Sequence, residues 1–573
     1  MENPRIGVYI CWCGSNIAKM VDVEAVSAAM AKLPNVVIAK NYKYMCSDPG
    51  QELIVRDIKE NNLTRVVVAA CSPRMHEPTF RRALANAGLN PYLFEMANIR
   101  EHDSWVHEDR AQATEKALDL VSAAISRVAY HEVLDSRTVS INPATMVVGG
   151  GIAGMSAALE IANAGKKVFL VERTNKLGGL MSHLDGAYQD FHDISRSLNV
   201  KVEQVQKHPQ ISVYLNSELK DVFGYIGNFE AKITQQGKDV DLKFGNIIMA
   251  TGLKTFDPTV IPEYGYGKLA NVVTSVDFER MLKNGKVHTK AGQTPKSVAI
   301  IHCVGSRNEK YHEYCSRNCC MTALKYSVQL KKALPKTRVY DLYADMRAFG
   351  KCGEDLYRQA SENKVLFMMF DQQEGLPLIS QSQEGDGAGL TITINDKLSQ
   401  ETLEVPADMV VLMVGVEAQA DAKQMSHFVG ISLCGHDFFI EKHPKLDPVA
   451  TTTSGVYIVG SCQGPKDIPD SVSQARAASA RVLGTICKGN VAVEVTTACV
   501  NEELCCGCQT CVTVCPYSAV SFNAEKKVSV VNEVLCKGCG TCGAGCPSGA
   551  IRCRHFTDEQ IMSQIEGLLG FVA

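Results

Sequence analysis

Residues 144–172 read ATMVVGGGIAGMSAALEIANAGKKVFLVE, and this stretch decides the fold of the middle of the chain. An apolar run ends in a glycine turn, Gly149–Gly150–Gly151–Ile152–Ala153–Gly154, an alanine-rich helix follows, and a second apolar run ends at Glu172. Strand, glycine turn, helix, strand is the opening unit of a dinucleotide-binding sheet. Gly149, Gly151 and Gly154 make the pattern GxGxxG. Glycine there permits the tight turn and lets a pyrophosphate approach the helix N-terminus, where unpaired amides favour an anion. Glu172 is placed to accept from ribose hydroxyls.

A lone GxGxxG is a common pattern, but here it has three companions. Glu172 is followed by Arg173, then TNKL, then Gly178–Gly179, which resembles the E-x5-GG signature of the two-dinucleotide-binding flavoproteins, the thioredoxin-reductase-like family. Ala250–Thr251–Gly252, after the apolar run NIIM, resembles that family's ATG motif. Residues 454–462, SGVYIVGSC, resemble its late flavin motif, where a strand returns the chain to the isoalloxazine. The resemblance implies FAD, and a unit that binds NAD alone does not explain the late motif. One departure stands out: the family carries Asp after the last glycine, Gly460, and this chain carries Ser461. A helix follows, with a capping box expected at Ser471 and Gln474, and with Lys466, Asp467 and Ile468 just upstream. By resemblance this helix points at the flavin pyrimidine, where its positive end and Lys466 would stabilise an anionic reduced flavin. The other reading of Lys466 is an exposed loop lysine.

The same family places a second GxGxxG, for NAD(P)H, further along. The matching stretch here, residues 298–320, reads VAIIHCVGSRNEKYHEYCSRNCC. The glycine pattern is gone, and Cys303, Cys315, Cys319 and Cys320 stand in its place. Four cysteines so close can meet at one iron–sulfur cluster of unusual ligation. A redox disulfide or free thiols are the alternatives, and adjacent Cys319 and Cys320 meet disulfide geometry poorly. The chain is therefore not expected to use NAD(P)H directly. It also lacks the C-x-x-C of thioredoxin reductase in this region and the C-x4-C of glutathione-reductase-like enzymes after Gly151, which argues against reduction of a small disulfide at this flavin.

Near the C-terminus, Cys505, Cys508, Cys511 and Cys515 precede Pro516, and Cys536, Cys539, Cys542 and Cys546 precede Pro547. This is C-x2-C-x2-C-x3-C-P twice. Each tight loop delivers three thiolates to a [4Fe-4S] cluster and the fourth comes from the other half. The ligand sets are then Cys505/Cys508/Cys511/Cys546 and Cys536/Cys539/Cys542/Cys515. A pair of zinc knuckles does not carry this doubled spacing with both prolines. Cys506 falls between ligands without a place in the pattern, and Cys352, Cys434, Cys462, Cys487, Cys499 and Cys553 are assigned no role.

The rest of the composition fits this picture. The 573 residues suggest several domains, and 46% hydrophobic with 21% charged residues is globular. A net charge of −3 without a basic block argues against nucleic acid. No apolar run reaches the roughly 20 residues of a membrane helix, and MENPRIGVYICWCGS lacks the pattern of a secretory signal, so a cytoplasmic protein not inserted in lipid is expected. The 23 cysteines then point to metal or redox chemistry. The fold class is α/β multidomain: an N-terminal α/β domain (1–110), a linker helix (111–140), an FAD-binding Rossmann-type domain (141–295), a second Rossmann-like unit with cluster-binding cysteines (296–450), a return to the FAD domain (451–495), an α+β ferredoxin domain with two [4Fe-4S] clusters (496–556) and a C-terminal helix (557–573). The apolar stripe of that helix, Ile561, Ile565 and Leu568, reads as core packing or as a partner's dock.

Taken together these motifs resemble the A-type subunits of heterodisulfide reductase, over nearly the whole chain: the CxCG start at Cys11, YMCSDPGQ, ACSPRMHEPTF, NIREHDSWVH, the Rossmann fingerprint, HCVGSR…YCSRNCC, GPKDIPDSV and the ferredoxin tail. The resemblance implies a flavin-bearing electron hub that splits electron pairs between a high-potential acceptor and a low-potential ferredoxin, by flavin-based electron bifurcation, or runs the reverse. It implies a cluster near the flavin at Cys303, Cys315, Cys319 and Cys320, and another at Cys11, Cys13, Cys46 and Cys71, four thiols that could otherwise be buried or incidental. It also implies partners: B- and C-type subunits, a donor oxidoreductase of hydrogenase, formate dehydrogenase or NADH-oxidising flavoprotein type, ferredoxin, and a second copy of the chain as a homodimer within a larger complex. The chain departs from longer archaeal relatives, which carry an inserted ferredoxin domain. Between Gly179 and Gly252 it has no cysteine, and a Cys pair that many relatives carry is replaced by the region AYQDFHDISRSLN. Four clusters are therefore expected rather than six. The alternative is a relay subunit that wires another reductase without splitting pairs, as in a class II benzoyl-CoA reductase-type complex.

Overall fold

The computed structural model describes residues 4–570 apart from 136, 189–192, 383–388 and 494. Part of the AYQDFHDISRSLN region therefore lies outside the described residues. The chain forms two compact units, residues 1–138 with 492–573 and residues 139–491. No helix among the described residues is long and apolar enough to cross a membrane.

The first unit opens with a four-stranded parallel sheet, in spatial order Val36–Tyr42, Ile6–Cys11, Arg65–Ala70, Phe94–Asn98. Ile6–Cys11 is buried at every position, as a strand covered on both faces must be. Parallel strands deliver their C-terminal ends to one edge, and Cys11 and Cys71 stand at that edge, followed by Arg100 in a short π-helix, Arg100–Ser104. The helix expected as a linker, Arg110–Val128, is instead a wall of this unit: Ala113, Ala117, Val121, Ala124, Ile125 and Val128 are buried in the core over the sheet. Its three- and four-residue periodicity is legible in the sequence, but periodicity does not say which core a helix faces.

The C-terminal half of the unit pairs Ala498–Val500 with Ile551–Cys553 and Val520–Asn523 with Val528–Val531, with short helices Thr510–Val514 and Thr541–Ala544 between. The last helix, Asp558–Leu569, carries the Thr557/Gln560 capping box. Its packing differs from expectation. Gln560, Ser563 and Gly567 are buried, while Ile561 and Ile565 are 43% and 42% exposed. The reason is Gly567: a Cβ there would stand 2.6 Å from Ser126 Oγ and 2.9 Å from the Ala123 Cα, so the small face lets this helix meet Arg110–Val128 backbone to backbone.

The second unit holds two five-stranded parallel sheets. The first runs Val456–Ile458, Asn246–Met249, Thr145–Val148, Val168–Val171, Ile211–Tyr214. The second runs Val272–Thr274, Met409–Val414, Ser297–Val304, Arg338–Tyr343, Leu366–Met369. Val272–Thr274 and the helix Ser275–Lys283 lie ahead of residue 296, so the second sheet begins earlier than the sequence suggests; a three-residue strand is too short for periodicity to reveal. Each sheet has a three-stranded antiparallel companion.

Candidate functional site

The glycine turn builds a cradle, and each glycine has its own reason. A Cβ on Gly154 would lie 1.9 Å from Gly149 O, and one on Gly149 would lie 2.2 Å from Ala250 O. These two permit the close packing of turn, helix Ile152–Asn163 and the Ala250–Thr251–Gly252 segment. Gly151 has no heavy atom within 4 Å of a Cβ; it opens onto a cavity of about 470 Å³ lined by Gly149, Gly151, Ile152, Ala153, Glu172, Arg173, Gly178, Gly179, Ala250, Thr251 and Gly252. Glu172 accepts from Gly150 N at 2.7 Å through Oε2, and from Thr174 N and Oγ1 at 2.8 Å each through Oε1. A carboxylate accepts about four hydrogen bonds, so capacity is left for a ribose hydroxyl. Arg173 pairs with Asp421 and donates to Gln419 Oε1 at 2.7 Å, closing the rim. A dinucleotide fits this cradle. Gly150 and Gly460 shape it without lining it: a Cβ on Gly150 would meet Leu177 at 2.5 Å and one on Gly460 would meet Ala153 Cβ at 2.7 Å.

Ser461, Lys466, Asp467 and Ile468 line the same cavity. Lys466 is half-buried rather than exposed, and burial lowers its pKa. The helix behind it begins earlier than the sequence reading places it. It spans Ile468–Lys488, and its N-cap is Asp467, which accepts from Asp470 N, with Pro469 in the first turn. Ser471 is buried inside the helix, and Gln474 instead takes Gly460 N at 2.7 Å. Asp preceding Ile-Pro is a stronger start signal than Ser471, because proline fits the first turn of a helix.

Three cavity residues escape the sequence reading: Lys325, Glu279 and Tyr188. Lys325 Nζ donates to both Glu279 carboxylate oxygens and to Gly186 O, and Tyr188 OH donates to Asp467 Oδ2 at 2.8 Å. Burial pulls the Lys325 pKa down, against the attraction of Glu279. No local motif marks these residues. A lone charge, Lys325, within the otherwise uncharged run MTALKYSVQL is the local signal.

The second unit also gathers Cys303, Cys315, Cys319 and Cys320. Cys303 is buried at the end of the strand Ser297–Val304 with φ of 57°, and Cys319 and Cys320 open the helix Cys319–Ala333. The Cys319 thiol is pushed up by its hydrogen bond with Cys303, and Cys320 is pushed up to about 12 by its hydrogen bond with Cys319. Such mutual crowding suits a group that takes all of them as thiolates. Cys319 also lines the dinucleotide cavity. The loop between is strapped to the late helix: Arg317 pairs with Asp470 at 2.7 Å and Asn318 Nδ2 donates to Lys466 O at 3.1 Å.

In the first unit the strand-end cysteines also converge. Cys13 N and Met45 N donate to Cys11 Sγ at 3.3 and 3.4 Å, and Arg100 Nη1 donates to Cys13 Sγ at 3.3 Å. Burial pushes Cys71 up to about 12, opposed by the Arg100 charge, and burial also raises Cys11 and Cys46. Donors aimed at sulfur suit an anionic cluster. In the C-terminal region a small cavity is lined by Cys515, Cys536, Cys539 and Cys542, one of the two sets read from the spacing. Ala519 N donates to Cys515 Sγ and Ala498 N to Cys536 Sγ. In the other set Cys511 donates to Ser529 Oγ and Cys508 to Thr510 Oγ1, while Cys505 and Cys546 are half-buried and Cys508 exposed. Among the described residues no three His, Cys, Asp or Glu side chains stand close enough to hold a single metal ion.

Residues 143–302 match the family model described as pyridine nucleotide-disulphide oxidoreductase. The chain is 42% identical to the A subunit of the H(2):CoB-CoM heterodisulfide,ferredoxin reductase of Methanothermobacter marburgensis, over 99% of this chain and 98% of that one. The chain belongs to the family of heterodisulfide reductase A subunits. It is 35% identical to the heterodisulfide reductase A-subunit-like protein of Archaeoglobus profundus, over 99% of this chain and 98% of that one. The first alignment runs to 654 positions against 573 residues, so that longer relative carries insertions absent here. Among solved structures, a thioredoxin reductase of T. acidophilum has a TM-score of 0.41 at 16% identity, covering 60% of this chain and 99% of that one. As a member of the heterodisulfide reductase family, the chain is an oxidoreductase.

Proposed function

We propose that this chain is the FAD- and iron–sulfur-bearing electron-transfer subunit of a heterodisulfide-reductase-like complex, and that it splits or merges electron pairs at its flavin. The observation that carries this reading is Cys319, which is crowded against Cys303 and Cys320, with Cys315 near, and at the same time lines the dinucleotide cavity. A flavin, when bound, supplies a junction between two-electron and one-electron chemistry, and iron–sulfur clusters supply one-electron steps. The chain's own residues would do the rest. The glycine turn and Glu172 orient the dinucleotide. Lys466, Lys325 and the N-terminus of Ile468–Lys488 set the positive field around the ring, and Glu279 and Asp467 moderate it. The loss of the second glycine pattern fits a protein that receives electrons through clusters rather than from NAD(P)H.

Four [4Fe-4S] clusters are proposed: two in the ferredoxin region, one at Cys303/Cys315/Cys319/Cys320 and one at Cys11/Cys13/Cys46/Cys71. The partners would be B- and C-type subunits, a donor oxidoreductase and ferredoxin, in keeping with a relative whose name couples heterodisulfide with ferredoxin. Potentiometric titration of the bound flavin in the anaerobically purified full chain tests the splitting reading. A second electron that enters more easily than the first supports pair splitting, and the normal order of potentials means a relay. Rapid bleaching by NADH alone would contradict the proposed route of electron entry.

A further inference from the structure

Residues 498–516, ACVNEELCCGCQTCVTVCP, and 529–547, SVVNEVLCKGCGTCGAGCP, align position for position, from Ala498 on Ser529 to Pro516 on Pro547. The structure keeps the repeat. Asn501 Oδ1 accepts from Glu503 N at 3.0 Å, and Asn532 Oδ1 from Val534 N at 3.1 Å. Cys508 Sγ lies 3.4 Å from Thr510 Oγ1, and Cys539 Sγ 3.4 Å from Thr541 Oγ1. Ala498 pairs with Cys553 as Ser529 pairs with Phe522, each across an antiparallel strand pair. The first position breaks the symmetry. Ser529 is only 2% exposed, and its Oγ is 3.0 Å from Cys511 Sγ. Ala498, its equivalent, brings no hydroxyl and lines the small cavity with Cys536, Cys539 and Cys542. A second exchange runs the same way: Ser548 Oγ is 3.7 Å from Cys546 Sγ, and Tyr517 holds the equivalent position after Cys515. Both serines thus fall on the set Cys505/Cys508/Cys511/Cys546. The other set receives the amides Ala498 N and Ala519 N, which any non-proline residue there would supply. Its own exchange, Cys553 for Phe522, adds a thiol, a weak donor.

We propose that Ser529 is a positioning residue acting through Cys511: its hydroxyl donates to Cys511 Sγ and raises the reduction potential of that cluster above the value an alanine there would give. This rests on the reading of the two doubled cysteine sets as [4Fe-4S] ligands. While Cys511 is a free thiol its proton goes to Ser529 Oγ. A ligand thiolate has no proton to give, and a hydroxyl can turn to donate in its place, over the same distance. A hydrogen bond to a ligand sulfur stabilises the more negative, reduced cluster, and such bonds are among the determinants of cluster potential. Packing gives no reason for the serine. A buried hydroxyl costs stability unless it is bonded, and Ala498 shows that the fold accepts a methyl at the equivalent point. Burial also ranks the two serines: water competes for the exposed Ser548 and not for Ser529, so Ser529 carries most of the effect.

The test is a redox titration, followed by electron paramagnetic resonance, of the anaerobically purified full chain and its Ser529→Ala, Ser529→Thr and Ala498→Ser variants. Cys508→Ala and Cys539→Ala chains, each altering the signal of one cluster, assign the signals. Ser529→Ala should shift the cluster that Cys508→Ala alters to more negative potential, changing its oxidised-to-reduced ratio at the wild-type midpoint by about tenfold, about 59 mV for a one-electron couple. Ser529→Thr, which keeps the hydroxyl, should stay close to wild type. Ala498→Ser should shift the cluster that Cys539→Ala alters by a like amount in the positive direction. The remaining clusters and the flavin content should not move. If Ser529→Ala fails to accumulate, Ala498→Ser carries the same test from the other half. A Ser529→Ala titration that superimposes on wild type with iron content unchanged, or a shift in a different cluster, would overturn the inference alone. A Cys508→Ala chain that keeps the iron content and every signal of wild type would overturn the cluster reading, and the inference with it.

Discussion

Lys325 Nζ lies 2.6 and 2.8 Å from the two carboxylate oxygens of Glu279, and the side chains are only 3% and 1% exposed, although both residues line the dinucleotide cavity. The third ammonium proton goes to Gly186 O, so every donor of the lysine is used. Removing one partner of such a pair strands the other charge, at about 3–5 kcal/mol, whereas removing both is far milder. Lys325→Met should therefore destabilise the second unit by that amount, and Lys325→Met with Glu279→Leu should recover most of it. Urea unfolding followed by release of flavin fluorescence measures both.

The glycine turn separates folding from binding. Gly154→Ala forces a methyl against the Gly149 carbonyl, and overpacking of this kind costs about 1–3 kcal/mol. Gly151→Ala meets no protein atom within 4 Å, so it should fold with wild-type stability. Its methyl would occupy the space of the dinucleotide, and the expected result is a stable chain with bound flavin reduced at least tenfold. Absorbance after anaerobic purification, beside a melting curve, checks the contrast.

A buried network in the first unit gives a pH dependence. His131 stacks on His555 at 4.3 Å between ring centres, and His131 Nε2 is 3.3 Å from Glu95 Oε2. Burial, with the charges of His555 and Arg127, pulls the His131 pKa down to about 3, and burial pushes Glu95 up to about 7 against Arg127. The signs oppose. A depressed histidine makes the unfolded chain bind more protons below pH 6.5, so stability falls as pH falls; a raised carboxyl makes the folded chain bind more, so stability falls as pH rises from 4.5 to 7. Glu95→Gln removes the second effect. In that background, going from about pH 7 to about pH 5.5 should cost the first unit about 1 kcal/mol through His131, and adding His131→Phe should reduce the slope to the share of His555, whose pKa burial also lowers. Urea midpoints at the two pH values decide it.

The last helix offers a test of which face is core. Gly567→Ala should destabilise the first unit by about 1–3 kcal/mol, because it would crowd the backbone at Ala123 and Ser122 as well as the Ser126 hydroxyl. Ile565→Glu, on the exposed stripe, should change stability by no more than about 0.5 kcal/mol. The opposite ranking would mean that the stripe, and not Gly567, faces Arg110–Val128.

What the sequence reveals and what it hides follow one rule. Gly149 to Gly154, Glu172 and the doubled cysteine spacing are local patterns whose chemistry requires that order of residues, and the structure gathers the first two into one cradle and one of the two cysteine sets around a small cavity. Asp467 as the cap is legible in Asp before Ile-Pro, but the Ser471/Gln474 pattern beside it competes for the same role. Glu279, Lys325 and Tyr188 are hidden for a different reason: each meets its partner between helices or from a loop to a helix, at separations no local window spans. The last helix misleads because apolar spacing ordinarily marks the buried face, whereas here a single glycine sets the contact.

The central claim is that a cluster held by Cys303, Cys315, Cys319 and Cys320 stands at the wall of the flavin cavity. The most direct test is the iron, sulfide and flavin content of the anaerobically purified chain beside its Cys319→Ser variant. Wild type should hold one FAD and about sixteen iron atoms, four per cluster, and the variant should lose about four of them. An iron content that Cys319→Ser leaves unchanged, or a yellow chain without labile sulfide, would contradict the account.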